Sequence, residues 1–395
     1  MPVLSREFLL AAACCRWPPS DRRDEAVRKA AAGPLDWPGF LRLGRRHGIL
    51  GLVHDSLKRA AVAPPASIAD DIAAAAKRIA RSNLIAVHEI VRIQRLFGEA
   101  GATILFVKGV TTGRLAYDNI ALKQSWDIDA LVGEDDVAAA LTLLERAGYK
   151  MVTPLPALTH RHYATWIKFA RECELRHDNN RLVVELHWRL ASNPKLLRGV
   201  TAASPSRVVP LCDRSGARTL HDDDLFAYLC VHGAEHGWFS LRWLTDVAAL
   251  LAASDEATIK RRLAHARSLG AQHCVAQALL LCHTLFEIPS IAALAADLRR
   301  SMRYRWLEKV ALTALSSESA GNNKSLWDPI RVSHFFLGRG WSHLLWEIRL
   351  KMTSLHDRST LELPSGLAFL YPLLRLPLWF ARIARRRHAQ VRPLP

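Results

Sequence analysis

The chain has 395 residues, half of them hydrophobic, which is sufficient for two or three domains with buried cores. Its 54 lysines and arginines against 37 acidic residues give a net charge of +17, which predicts attraction to nucleotide phosphates, nucleic acid or an anionic membrane, although solvated surface arginines would give the same balance. The seven cysteines form no CxxC pair, which argues against a zinc ribbon and a disulfide framework and indicates reduced thiols in a cytoplasmic protein. No run of 18 apolar residues occurs, so a membrane-spanning helix is not expected.

The first hundred residues are predicted to be helical. Apolar residues recur at three-and-four spacing over residues 4–60, and "APPAS" then interrupts the pattern. Ser67 is a candidate cap for a long helix that runs to about Ala100. We therefore assign residues 1–100 to an N-terminal helical region.

A small α/β unit is expected over residues 101–200. The segments "TILFVKG", "DIDALV", "KMVT", "RECELRHD" and "RLVVELHWRL" have the length and apolar content of strands, and "DNN" between the last two is a hairpin turn signal. "EDDVAAALTLLERAGY" has helical periodicity, with acids in its first turn and a stop at Gly148.

Helical periodicity returns from about residue 220, and we assign residues 201–364 to a C-terminal helical domain. In the basic and apolar tail, 365–395, Pro372 and Pro377 leave pieces too short for a strong interfacial helix, which favours packing on the helical domain over weak contact with an anionic membrane. The predicted fold class is α+β, with a small mixed sheet embedded between N-terminal and C-terminal helical regions.

The segment "LKQSWDIDALV" places two acids, Asp127 and Asp129, on either side of one residue at the start of an apolar strand. Residues two apart on a strand share a face. Two carboxylates so close repel each other and are costly to desolvate. Either the strand end is solvated, or a cation lies between the acids.

A third acid, Glu185, lies on another strand of the same unit, and strand alternation puts His187 on its face. Three carboxylates that converge from two strands suit Mg²⁺ or Mn²⁺, which prefer oxygen ligands. Two such ions, about 3.5–4 Å apart, can hold both oxygens of an in-line phosphoryl displacement. The alternative for Glu185 is an ion pair with Arg171 or Arg189, and the alternative for His187 is a buried, hydrogen-bonded core position.

The order of these motifs resembles the nucleotidyltransferase superfamily of the DNA polymerase β type and, more narrowly, an uncharacterised bacterial nucleotidyltransferase family. The blocks that carry the resemblance are "FVKG", "DIDALV", "GY", "ELHWRL" and "HGAEHGWFSLRWLTDV", in the order of that family. The resemblance implies a polymerase β-like core and an NTP donor, expected to be ATP. It also implies that Asp127, Asp129 and Glu185 are the catalytic and metal-binding residues.

Three departures from the superfamily pattern affect the expected nucleotide contacts. The third acid is glutamate instead of aspartate, and Lys123 replaces an arginine and loses its bidentate fork. The Gly-Ser turn is replaced by Lys108-Gly109, so a serine contact to the triphosphate is expected to be absent. The helix that opens at Gly109 can still offer N–H groups to phosphate. The candidate nucleotide-binding residues are Lys108, Gly109, Thr111, Lys123 and His187, and the alternative for Lys108 is an ion pair with one of the acids.

Two side-chain pairs in the helical domain have i, i+4 spacing and therefore share a helix face. His232 and His236 either pack in the core or face the substrate cleft. Arg242 and Asp246 are expected to form an ion pair along their helix.

The predicted activity is metal-dependent transfer of a nucleotidyl group from an NTP to the hydroxyl of an unidentified acceptor, which could be a small molecule, a sugar phosphate, a peptide or a protein. The alternatives are NTP-dependent phosphoryl transfer on the same scaffold and a non-catalytic adaptor that binds nucleotide or nucleic acid. Loss of the serine turn favours the adaptor, whereas retention of three clustered acids opposes it.

Overall fold

The structure is a computed structural model, and it describes residues 2–153, 166–167, 170–177, 182–212, 215–317 and 328–352, together with 370 and 374. The predicted "DNN" turn and, apart from two single positions, the tail at 365–395 lie outside the described residues.

The helices of the N-terminal half are α1 (Arg6–Cys14), α2 (Asp21–Ala31), α3 (Trp37–His47), α4 (Leu50–Arg59), α5 (Ala66–Glu99), α6 (Val110–Tyr117) and α7 (Val137–Arg146). Those of the C-terminal half are α8 (Asp222–Glu235), α9 (Leu241–Ala252), α10 (Glu256–Ser268), α11 (Gln272–Phe286), α12 (Ala292–Leu298), α13 (Met302–Ser316), α14 (Pro329–Ser333) and α15 (Gly340–Met352). Short 3₁₀ turns occupy Pro289–Ile291 and His334–Phe336.

The strands are β1 (Leu105–Phe106), β2 (Ile128–Leu131), β3 (Tyr149–Thr153), β4 (Glu172–His177), β5 (Val183–His187), β6 (Ser206–Cys212) and β7 (Ser215–Leu220). The first five form one sheet in the order β1-β2-β5-β4-β3, and the last two form a separate hairpin. The pair β2 and β5 is parallel and the other neighbours in the sheet are antiparallel, which confirms the predicted small mixed sheet. The β6–β7 hairpin lies where no element is predicted from the sequence.

The starts of two helices differ from the prediction. Helix α5 begins at Ala66 with Pro65 at its N-cap, so Ser67 lies inside the first turn and caps nothing. Helix α7 begins at Val137, and its predicted first-turn acids, residues 134–136, precede it. In both cases the hydrophobic periodicity locates the helix, while the cap signal misplaces its first turn.

Helix α5 joins two hydrophobic cores. Its N-terminal half, including Ile72 and Ile79, packs with a cluster built from N-terminal and C-terminal helices. Its C-terminal half, including Ile90 and Phe97, packs with the sheet, α7 and the β6–β7 hairpin. The sheet is thereby fixed against the helical regions through one continuous 34-residue helix. Among the described helices, none combines the length and apolar content needed to cross a membrane.

Candidate active site

The pairing of β2 with β5 brings polar side chains together on one face of the sheet. Asp129 lies opposite Glu185 in the parallel register, and His187 follows two residues later on the same face. Ligand atoms of Asp129, Glu185 and His187 all lie within 4.8 Å of one another. Asp129 and His187 are buried and Glu185 is half-buried, so the group opens to solvent on the Glu185 side.

Asp129 is held by two cationic side chains. Its Oδ1 lies 2.5 Å from Lys108 Nζ and 3.1 Å from His187 Nε2. Burial alone would raise the pKa of Asp129, but the Lys108 ammonium and the hydrogen bond with His187 hold it below its usual range. A cation therefore does lie beside the acids, and in the structure it is Lys108.

His187 connects three carboxylates. Its Nε2 lies 3.6 Å from Glu185 Oε2 as well as near Asp129, and its Nδ1 lies 3.0 Å from Glu172 Oε2. Burial would lower the pKa of His187, but its contacts with the three acids raise it to about 10. The ring is therefore an imidazolium at neutral pH. Its burial agrees with a core position, yet its partners are the acids of the site.

Glu172 is a site residue that the sequence interpretation missed. It lies opposite His187 in the antiparallel register of β4 and β5, and its carboxylate also pairs with Arg171 at 3.1 Å. Burial would raise the pKa of Glu172, but His187 and Arg171 lower it to about 2. Counting residues back from the predicted "DNN" turn would have placed Glu172 on the face of Glu185, since the two strands pair as a hairpin. Arg171 pairs with Glu172 and, at 3.1 Å, with Glu235.

Asp127 lies one residue before β2 and outside the group whose ligand atoms converge. The pKa of Asp127 is raised to about 7, first by burial and then by the charges of Asp129 and Glu185, which outweigh Lys108 and Arg242. Of the three predicted acids, two converge with His187, and Asp127 stands beside them without a neutralising contact of its own among the described residues.

Lys123 does not contact Asp127, Asp129 or Glu185 but pairs with another acid. Its ammonium forms a buried ion pair with Asp246, which also accepts a hydrogen bond of 3.0 Å from the Tyr117 hydroxyl. The expected Arg242–Asp246 ion pair is therefore wrong: the Arg242 guanidinium lies 4.0 Å above the ring of Trp126 instead. Helix α9 turns Asp246 inward, where a buried carboxylate requires a cationic partner, and Lys123 supplies it.

The turn before α6 is built on a glycine in an unusual backbone conformation. Gly109 has φ 68° and ψ −137°, which is a conformation almost restricted to glycine, and it immediately precedes the first residue of α6. Thr111 is fully buried, and its hydroxyl has no hydrogen-bond partner among the described residues. A Cβ added to Gly109 would lie 3.7 Å from Ser125 Oγ. A serine hydroxyl from another segment thus lies near this turn, and the expected absence of a serine contact to the triphosphate stays a prediction.

The two histidines of the helical domain pack against each other and against Trp243. The rings of His232 and His236 stand 4.6 Å apart. The pKa of His236 is lowered to about 4 and that of His232 is lowered strongly, first by burial and further by cations that include Lys108 and Arg171. Both imidazoles are therefore neutral, and α8 is joined to the site by the ion pair of its Glu235 with Arg171.

The donor set at this face fits a divalent cation. Asp129 and Glu185 provide carboxylate oxygens, which Mg²⁺ and Mn²⁺ prefer, while His187, as an imidazolium, has no free ring nitrogen to bind an ion and contacts Asp129 instead. The excess negative charge is balanced in the structure by Lys108 and His187. An ion at Asp129 would meet the same oxygen that the Lys108 ammonium contacts.

Comparison with known proteins agrees with this chemistry. No curated protein matches the chain. The model of a family described as uncharacterised nucleotidyltransferase matches residues 33–287, more than half of the chain, and this range contains every site residue described above. The chain therefore belongs to this family of uncharacterised nucleotidyltransferases.

Proposed function

We propose that the protein moves a nucleotidyl group from an NTP, with ATP as the expected donor, to the hydroxyl of an acceptor. The observation that carries the proposal is the convergence of Asp129 and Glu185 from two parallel strands, next to a glycine turn that opens a helix. In this proposal the sheet is a polymerase β-like core, and Asp127, Asp129 and Glu185 hold Mg²⁺ or Mn²⁺.

This proposal assigns a role to each group of residues at the site. Lys108 and His187 keep Asp129 ionised and oriented through the contacts already described. The N–H groups at the start of α6 face the phosphates, since the amino end of a helix favours anions. When bound, the divalent cation would polarise the reacting phosphate and acidify the acceptor hydroxyl. Glu185, on the open side of the group, is placed to accept the hydroxyl proton.

Binding is tested first by thermal unfolding with and without an NTP and Mg²⁺. A ligand that binds only the folded state raises the melting temperature. We expect this rise for the wild type and its loss in Glu185→Gln, which removes one charge from a half-buried position. Glu134→Gln, at an exposed acid outside the site, should keep the rise. An undiminished rise in Glu185→Gln and in Asp129→Asn would refute the carboxylate site.

The reaction is tested with labelled ATP and a cell extract. Transfer of label with release of pyrophosphate is expected. Release of orthophosphate would instead assign phosphoryl transfer to the same scaffold. Nucleotide binding without turnover in any extract would assign the adaptor function, although clustered acids are costly to keep where no cation or reaction uses them.

A further inference from the structure

A pocket of about 240 Å³ opens beside the glycine turn, between the N-terminal helices and the segment that precedes β2. Its walls come from α3, α4 and α5 on one side and from residues 124–126 on the other. The polar and aromatic residues that line it are Arg45, Arg78, Ser82, Gln124, Ser125 and Trp126. This lining is separate from the carboxylate group and meets the site only through Ser125 and Trp126, next to Asp127.

The charge in this lining has one sign. Arg45 and Arg78 are its ionised residues, and no carboxylate is among the lining residues. Arg45 is tied to Asp71 at 3.0 Å, but both side chains are half exposed, so this ion pair is weak. Arg78 is exposed and has no ion-pair partner in the described part of the chain. A pocket with these cations selects for an anion.

Ser125 provides an independent indication of a ligand. The residue is only 8% exposed, and its hydroxyl has no hydrogen-bond partner among the described residues. A buried hydroxyl without a partner is costly, and an oxygen-rich ligand would satisfy it. Ser125 itself lines the pocket, and its Oγ would lie 3.7 Å from a Cβ added to Gly109, which places this wall of the pocket close to the turn before α6.

We propose that this pocket binds a phosphate group of a substrate, with Arg78 and Arg45 as its cations and Ser125 as its hydroxyl donor. Guanidinium groups match phosphate oxygens in a bidentate geometry, which an ammonium does not. The proposal rests on the proposed transferase function. The phosphate belongs either to the end of the NTP that leaves as pyrophosphate or to a phosphorylated acceptor, because both present the same chemistry.

The pocket is tested by calorimetric titration with inorganic pyrophosphate in EDTA, so that no divalent cation can recruit the anion to the carboxylates. We expect binding by the wild type, roughly tenfold weaker binding by Arg78→Gln and several-fold weaker binding by Ser125→Ala. The matched control is Arg81→Gln, which removes the same charge from an exposed position on α5 outside the pocket and should bind like the wild type. Equal affinity of all four proteins, or no binding by the wild type, would overturn the proposal.

Competition identifies the source of the phosphate. If an NTP with Mg²⁺ displaces pyrophosphate, the pocket takes the donor's terminal phosphates; if both bind together, it takes a phosphate of the acceptor.

The experiments distinguish failure of the pocket proposal from failure of the transferase proposal. If pyrophosphate binding does not depend on Arg78, while Glu185→Gln loses the stabilisation by NTP, the pocket proposal is wrong and the transferase proposal stands. Pyrophosphate binding that depends on Arg78, with NTP stabilisation intact in Glu185→Gln, would keep an anion site and reject its assignment to this reaction.

Discussion

Replacing Asp127 with asparagine should stabilise the metal-free protein. In the folded state the pKa of this carboxyl is raised from 3.8 to about 7, because burial and the neighbouring acids disfavour its charge. A difference of about three pH units corresponds to at most about 4 kcal/mol at 1.36 kcal/mol per unit. Hydration of a carboxylate at the edge of the site reduces this, and we expect about 1–2 kcal/mol.

The sign depends on pH in a defined way. Below pH 3.8 the carboxyl is protonated in both states and the substitution should have little effect. As pH rises from 3.8 to about 7, the unfolded chain loses this proton before the folded one, so the stability of the wild type falls relative to that of the variant. The advantage of Asp127→Asn should therefore be about a third of its full size at pH 5 and complete at pH 8.

Urea unfolding in EDTA at pH 5 and pH 8 measures this difference. Asp135→Asn, at an exposed acid before α7, is the control and should stay within about 0.5 kcal/mol of the wild type. Asp129→Asn should have the opposite sign, a loss of about 3 kcal/mol, since it leaves Lys108 and His187 without their shared partner. An Asp127→Asn variant that is less stable than the wild type at pH 8, or a difference that does not change with pH, would refute the reasoning.

Three further predictions concern single contacts. Lys123→Met and Asp246→Leu should each lower the free energy of unfolding in urea by about 3 kcal/mol, because each change leaves a buried charge unpaired. The double variant should lose clearly less than the sum of the two single losses. Additive losses would contradict the buried ion pair. Gly109→Ala should lower the free energy of unfolding by about 1–3 kcal/mol, because it forces a residue with a side chain into a glycine conformation. The control Gly98→Ala, inside α5 with open space around it, should be neutral or stabilising. Equal effects of the two substitutions would show that the turn is unstrained. His187 has a pKa raised to about 10, so its contribution is complete below pH 6.5 and lost as pH rises through 10. Wild-type stability should accordingly fall more between pH 7 and 10 than that of His187→Gln, and parallel pH curves would show that the imidazolium is not stabilised.

The strand pattern determines which side chains can share a face. Alternation in "DIDALV" pairs Asp127 with Asp129, and alternation in "VVELHW" pairs Glu185 with His187, because the two-residue period of a strand is a local property. Gly109 is likewise marked by its position between a strand and a helix. The division of the chain into four regions stays a prediction.

Only the tertiary structure decided which partners these side chains meet. Glu172 lies at the site because the register of β4 and β5 places it opposite His187. Lys123 forms its ion pair with Asp246, more than a hundred residues later in the chain. The phosphate pocket exists because α5 packs across the segment that contains Ser125. Such contacts depend on how separate elements pack, which one-dimensional periodicity does not encode. The sequence alone therefore identified the acids as candidate site residues, while packing decided that Lys108 neutralises Asp129 and leaves Asp127 with a raised pKa.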